Sequence, residues 1–252
     1  MTTTERRQWT RAEVLRALSL YCVLPFGRFH KSNPDVIALA QELGRTPGSV
    51  ALKLCNLASL DPHERARGIA GMTNASTLDR EVWKEFYGRW DELAAALPLK
   101  PVEMKSPMPE LELPDGPTER EVIQKIRRGQ QFFRKAVLSA YADQCCITGI
   151  AETSLLRASH IVPWSESEEH RLNPSNGLCL NALHDSAFEA GLITFDERFR
   201  LVIARKLSKK MPKAVYASNF EQYKGQEIKL PDRFRPDEKL LKIHRARKFK
   251  EA

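Results

Sequence analysis

Apolar residues recur at helical spacing through the first hundred positions and again from Val122 to Tyr141, and only beyond that are the runs short. After Trp9-Thr10, the positions Val14, Leu15, Leu18 and Tyr21 fall on one helical face. Asn33-Pro34-Asp35 predicts a helix start, Val36, Ile37, Leu39 and Ala40 supply its apolar positions, and Gly44 predicts its end. Thr46-Pro47 predicts the next start, a capping hydroxyl followed by proline at the first helical position, with Val50, Leu54 and Leu57 facing inward. Thr77 to Glu81 opens a later helix through Trp83, Phe86 and Tyr87. Thr118 to Glu121 has the capping-box pattern and leads a long helix carrying Val122, Ile126, Phe133, Val137 and Tyr141. Beyond it the runs are short. Asp143 to Gly149 predicts a turn, Leu155 to Ile161 a strand, Asn176-Gly177 a turn and Gly177 to Leu180 a second strand. Ala182 to Ala190 predicts a helix closed by Gly191, Leu192 to Phe195 with Phe199 to Ala204 a hairpin, and Asp237 to Phe249 a basic helix. The fold class is α+β, with a mainly helical N-terminal domain and a C-terminal ββα unit with flanking helices.

Six of the 15 prolines lie between Pro98 and Pro117, without aromatics or a period. This predicts an extended linker over 98–117, between domains 1–97 and 118–252. No apolar run approaches the roughly 20 residues of a membrane helix. The N-terminus has no secretory pattern, and five cysteines, an odd number, suit a reducing compartment, so the expectation is a cytoplasmic protein. The net charge of +8 is unevenly placed: residues 1–100 carry 14 Lys/Arg against 11 acids, and residues 200–252 carry 16 against six. A basic C-terminal region suits a polyanionic partner or a solvated surface.

The candidate chemistry lies in residues 145–191, where His160, Asn176 and His184 fall on or beside the two short strands and the helix. Phosphodiester hydrolysis requires a deprotonated water, stabilisation of charge on the phosphate, and neutralisation of the leaving oxygen. A neutral histidine suits the first task and a divalent cation the other two.

The block resembles the HNH endonuclease family, the ββα-metal nucleases, and in particular its restriction-type subgroup. The resemblance rests on Ala158-Ser159-His160-Ile161-Val162-Pro163-Trp164, Asn173-Pro174-Ser175-Asn176-Gly177-Leu178, and the run from Leu183-His184-Asp185 to Gly191-Leu192-Ile193. It extends over about 120–250, taking in Phe133-Arg134 upstream and His244-Arg245 downstream. The resemblance implies that His160 activates water, that Asn176 braces the loop, and that His184 belongs to the catalytic set. It also implies a bound divalent ion, magnesium first, with manganese, nickel or zinc as alternatives. Relatives place helix ligands nine and thirteen residues after the asparagine, which here gives Asp185 and Glu189. The family name points instead to His184. Asp185 is the first choice, with His184 and Glu189 following. Many relatives carry an acid before the base; this chain has Ser159, whose hydroxyl can bind directly or through water. Many relatives also hold a structural zinc on paired CxxC motifs, but Cys145-Cys146 and Cys179 do not fit one, and no structural zinc is expected.

Gly44-Arg45 between two predicted helices resembles a helix-turn-helix, in which Arg45, Thr46, Ser49 and Lys53 would face DNA; the alternative is an ordinary helical hairpin. The expectation is a metal-dependent DNA endonuclease of restriction or defence type, whose tail cations hold the backbone. A catalytically silent DNA-binding regulator and an RNA-directed nuclease remain open. Cutting both strands often requires two active sites, which leaves a homodimer open.

Overall fold

The computed structural model describes residues 7–68, 74–97 and 117–251, apart from the side chains of Phe26 and residues 117–123. The proline-rich segment 98–116 lies outside them, as does the capping role expected of Thr118. The chain divides into two compact units that meet in sequence between Phe132 and Phe133.

The first unit is helical: α1 (Arg11–Val23), α2 (Pro34–Leu43), α3 (Pro47–Ala58), α4 (Pro62–Ala66), α5 (Thr77–Phe86), α6 (Trp90–Ala96) and the beginning of α7 (Pro117–Ala140). α1 packs against α2, α3, α5 and α6. Its inward face is Val14, Ala17, Leu18 and Tyr21, which meet a core that includes Leu39, Val50, Leu54, Val82 and Leu93, all fully buried. Local chemistry sets the starts. Thr10 and Glu13 form a capping box on α1, Asn33 caps α2 ahead of Pro34, and Thr46 caps α3 ahead of Pro47. Gly44 turns the chain out of α2 with φ 61°, a left-handed conformation that glycine adopts without steric cost.

The second unit begins within α7 and contains β1 (Leu156–His160), β2 (Gly177–Asn181), α8 (Ala182–Glu189), β3 (Ile193–Phe195), β4 (Leu201–Ile203), α9 (Arg205–Lys209), α10 (Lys213–Asn219) and α11 (Glu238–Arg247). β1 and β2 pair antiparallel in the register Leu156↔Asn181 to His160↔Gly177, and β3 pairs antiparallel with β4. α8 packs on β1, β2 and β3, and α11 packs on β3. The unit is therefore two strands, a helix and a small second hairpin, closed by the final helix. Gly177 admits no side chain: a Cβ there would lie 2.3 Å from Val137 Cγ2 and 3.0 Å from the Phe133 ring. That close approach presses β2 onto α7.

Candidate active site

β1 ends at the two residues on which the chemistry turns. Side chains alternate along a strand, so Ser159 and His160 project to opposite faces. Ser159 is buried toward α8, while His160 is half-buried and lies against Phe133 of α7. The imidazole stacks on the Phe133 ring with centroids 3.8 Å apart and planes 8° apart, and meets Trp164 edge-on at 5.8 Å. Its Nε2–H donates to the carbonyl of Arg171 at 3.0 Å. That bond fixes the tautomer and leaves Nδ1 as the unprotonated nitrogen, without a partner among the described residues. Burial lowers the pKa of His160 below its ordinary value, against the opposing pull of the Arg171 carbonyl. The ring is therefore neutral at physiological pH, in the form a general base requires.

Asn176 is fully buried and ties down the loop of residues 161–176. Its Oδ1 accepts from Val162 N at 2.9 Å, and its Nδ2 donates to Val162 O at 3.0 Å and His170 O at 3.2 Å. Its own carbonyl accepts from Ile161 N. Holding the His170 carbonyl constrains the adjoining peptide, whose Arg171 carbonyl orients His160. Arg171 also lies over the Trp164 ring, 5.5 Å from its centroid.

Ser159, Asp185 and Glu189 come together on the α8 side. The Ser159 hydroxyl is buried without a hydrogen bond of ordinary geometry, yet it lies near enough to the Asp185 carboxyl to favour its charged form. Burial wins at Asp185 and raises its pKa. Glu189 is one turn on; burial and the Asp185 charge both push its pKa up, and Lys248 acts against them. Arg157 acts on Asp185 in the same sense as Lys248 on Glu189. Two carboxylates that resist ionisation together, beside an orphaned hydroxyl, form an oxygen donor set that a cation would relieve. Among the described residues no three His, Cys, Asp or Glu side chains converge on one point. Magnesium commonly takes only one or two carboxylates and completes its shell with water and phosphate, so these residues fit it. An all-oxygen set suits magnesium or manganese better than zinc.

His184 is not part of that set, a correction to its expected place among the ligands. It is 1% exposed. Its Nδ1 accepts from Asn181 Nδ2 at 2.8 Å, and its Nε2–H donates to the Asn219 carbonyl at 2.7 Å. Phe220 meets it edge-on at 5.0 Å. Metal ligation would break those bonds and pull the ring from the core. The reason is rotational: consecutive helix residues lie about 100° apart, so when Asp185 faces outward its neighbour faces in. Cys145 lies against the same ring; burial raises its thiol pKa, but its polar contacts with His184 and Thr148 bring it down to about 7. Cys145, Cys146 and Cys179 are all buried, free thiols.

Two of the DNA-facing residues expected in the first unit, Arg45 and Lys53, need correcting, while Thr46 is exposed and Ser49 half-exposed. The Arg45 side chain is 6% exposed, pairing with Glu13 at 2.8 Å and lying 4.1 Å from the Trp9 ring centroid. The Glu13 carboxyl has a pKa of about 2: burial works against ionisation, but bonds from Arg45 and Thr10 outweigh it. Lys53 is buried in an ion pair with Asp79 at 2.7 Å. Thr46 accepts from the backbone N–H of Ser49 as a helix cap. These groups hold α1, α3 and α5 together, because a buried cation is stable only when paired. The sequence pattern did not single out Arg157, Lys248 or the Arg171 carbonyl. Only Phe133 and Trp164 lay in the motifs read there, without an assigned role.

Residues 145–196 match the sequence model of a family described as HNH endonuclease. No curated protein matches the chain. No helix among the described residues is long and apolar enough to cross a membrane.

Proposed function

We propose that the chain, whose residues 145–196 match the HNH endonuclease family, is a metal-dependent endonuclease that hydrolyses phosphodiester bonds in DNA. The observation that carries this reading is the state of His160: neutral, oriented through Nε2 by the Arg171 carbonyl, with Nδ1 free to accept a proton. Nδ1 takes the proton of a water as its oxygen attacks phosphorus, and the ring, held between Phe133 and Trp164, cannot swing away. The P–O3′ bond breaks and the departing oxygen takes a proton from solvent water, which leaves a 5′-phosphate and a 3′-hydroxyl. Asp185, Glu189 and Ser159 would hold magnesium, which when bound stabilises charge on the phosphate and on the departing oxygen. Asn176 keeps the loop that supports His160 closed throughout.

A role in restriction or defence rests on the restriction-type motifs around His160, Asn176 and Asp185. The serine before His160, where relatives carry an acid, favours a second reading: a protein that binds DNA without cutting it. One experiment separates the two. Plasmid is incubated with wild type and with His160→Ala in magnesium, manganese, nickel or EDTA. Metal-dependent cutting by wild type, lost in the variant while binding persists, supports the enzyme. Tight binding by wild type with no cutting in any metal supports the silent binder.

A further inference from the structure

The mechanism leaves one strongly charged stretch of the second unit without a role. From Arg198 to Phe220 the chain carries seven Lys or Arg and no acidic residue. Five of them, Arg205, Lys206, Lys209, Lys210 and Lys213, lie on α9, at its C-cap and at the start of α10. Lys206 is half-buried and the other four are exposed. None of the five side chains makes an ion pair or hydrogen bond among the described residues. Three cations at the end of the C-terminal helix differ. Arg245 donates to the Phe195 carbonyl at 2.8 Å, Arg247 lies 3.9 Å from Glu166, and Lys248 acts on Glu189. The tail is therefore partly neutralised from within, whereas the α9–α10 cations repel one another without relief. A polyanion carrying a charge every ~1.7 Å of its axis supplies that relief.

The stretch is also fixed to the catalytic framework. His184 on α8 donates to the carbonyl of Asn219, the last residue of α10, and Phe220 packs on the same ring. His184 adjoins Asp185, so one helix carries the candidate ligand on one side and anchors the basic segment on the other. We propose that α9–α10 is an arm that binds the phosphate backbone of duplex DNA, and that His184 is the rivet fixing it relative to Asp185. This assignment rests on the DNA-nuclease reading. It gives the second histidine of the motif a task outside the ligand set. Phosphate contacts of this kind position the duplex without reading its sequence, and act on binding more than on the chemical step.

The test uses the full chain. Wild type and the triple variant Lys209→Gln/Lys210→Gln/Lys213→Gln are titrated against a fluorescent duplex of arbitrary sequence in EDTA, across a range of salt. Each lost phosphate contact lowers the slope of log K against log salt by about 0.9, so three should lower it by about 2.7. Under magnesium, KM should rise by about the same factor as Kd while kcat at saturating DNA stays unchanged. The single change Arg247→Gln on α11, a cation that already faces Glu166, should move the slope less per charge. An equal loss per charge, or an unchanged slope in the triple variant, overturns the arm while leaving the nuclease standing if wild type still cuts. Failure of wild type to bind or cut duplex DNA overturns both readings. Arm-dependent binding confined to RNA overturns the DNA assignment. For the rivet, hydrogen exchange of residues 213–220 should quicken in His184→Ala but not in His184→Gln, which keeps an N–H donor. Unchanged exchange in His184→Ala removes His184 from the account.

Discussion

His244 sets the acid limit of the nuclease unit. The ring is 2% exposed and stacks on Phe188 with centroids 3.8 Å apart and planes 4° apart. Nε2–H donates to the Phe188 carbonyl at 3.1 Å, so Nδ1 is the acceptor for the Thr194 hydroxyl at 3.0 Å. Burial lowers its pKa from 6.5 to about 4, and the nearby Lys248 and Arg245 charges push it the same way. Between those values the unfolded chain binds the extra proton and the folded one does not. Stability from this group is therefore complete above the unfolded pKa and is lost as pH falls through the window toward the folded value. Each pKa unit of difference corresponds to about 1.4 kcal/mol, so His244 alone should remove roughly 2.5 kcal/mol between about pH 7.5 and about pH 4.5. That is a large share of a typical domain stability of about 5–15 kcal/mol. Asp185 and Glu189 act with the opposite sign, because their raised pKa values favour proton uptake by the folded state. The His244 contribution is therefore isolated by comparison with His244→Phe, which packs on Phe188 but does not titrate. The measurement is urea unfolding at several pH values, followed by hydrogen exchange of peptides from α8 and β3. The variant starts less stable because Thr194 and the Phe188 carbonyl lose a partner, but its stability should fall by less on acidification. An equal fall in both proteins would refute the assignment.

Three further outcomes follow from the geometry. His160→Ala should lower cleavage by about 10²- to 10⁴-fold, the usual share of a general base, with the unfolding midpoint and DNA affinity close to wild type in a gel-shift assay. Asp185→Asn should abolish metal-dependent cutting yet unfold no more easily than metal-free wild type, since it removes a partly buried charge. Magnesium should raise the melting temperature of wild type but not of this variant in a thermal melt. Arg45→Ala should cost the first unit about 1.5–3 kcal/mol in urea unfolding, because Glu13 loses one of its two cations and keeps Arg7. DNA affinity per folded molecule should not change.

The sequence announced the elements whose ends are chemically marked. Thr10, Asn33 and Thr46 each cap the helix that their patterns indicate, and the strands at Leu156 and Gly177 lie where the apolar runs place them. The short helices α4, α6, α9 and α10 escaped, because a helix of five to seven residues spans too few turns to show a period. Among the site residues, the resemblance points to Asp185 and Glu189, nine and thirteen residues after Asn176, and the helix period adds only that the two share a face. Burial at Arg45 and Lys53 was not legible: an arginine in a turn and a lysine on a helix read as exposed until their tertiary partners, Glu13 and Asp79, are known. The same holds for the Arg171 carbonyl, a backbone group that no residue type can signal.

One peptide register accounts for the arrangement around β1 and α8. Because Ser159 and His160 are consecutive on a strand, the buried hydroxyl faces α8 while the imidazole faces α7. Because His184 and Asp185 are consecutive on a helix, the carboxylate faces Ser159 while the second imidazole enters the core. A one-residue slip of either element would exchange these roles and bury a carboxylate where His184 now lies. Three features pin the register. Asn181 caps α8 on the backbone N–H of His184 at 3.0 Å, which sets where the helix begins. Gly177 lets β2 close against Val137 and Phe133, which sets how far the strand can slide. Gly191, with φ 68°, ends the helix where a Cβ would strike the Lys248 carbonyl at 2.0 Å. Substituting Gly177 or Gly191 with alanine should therefore impair cleavage without touching a reacting group, by shifting the strand or the helix on which Ser159, His160 and Asp185 depend.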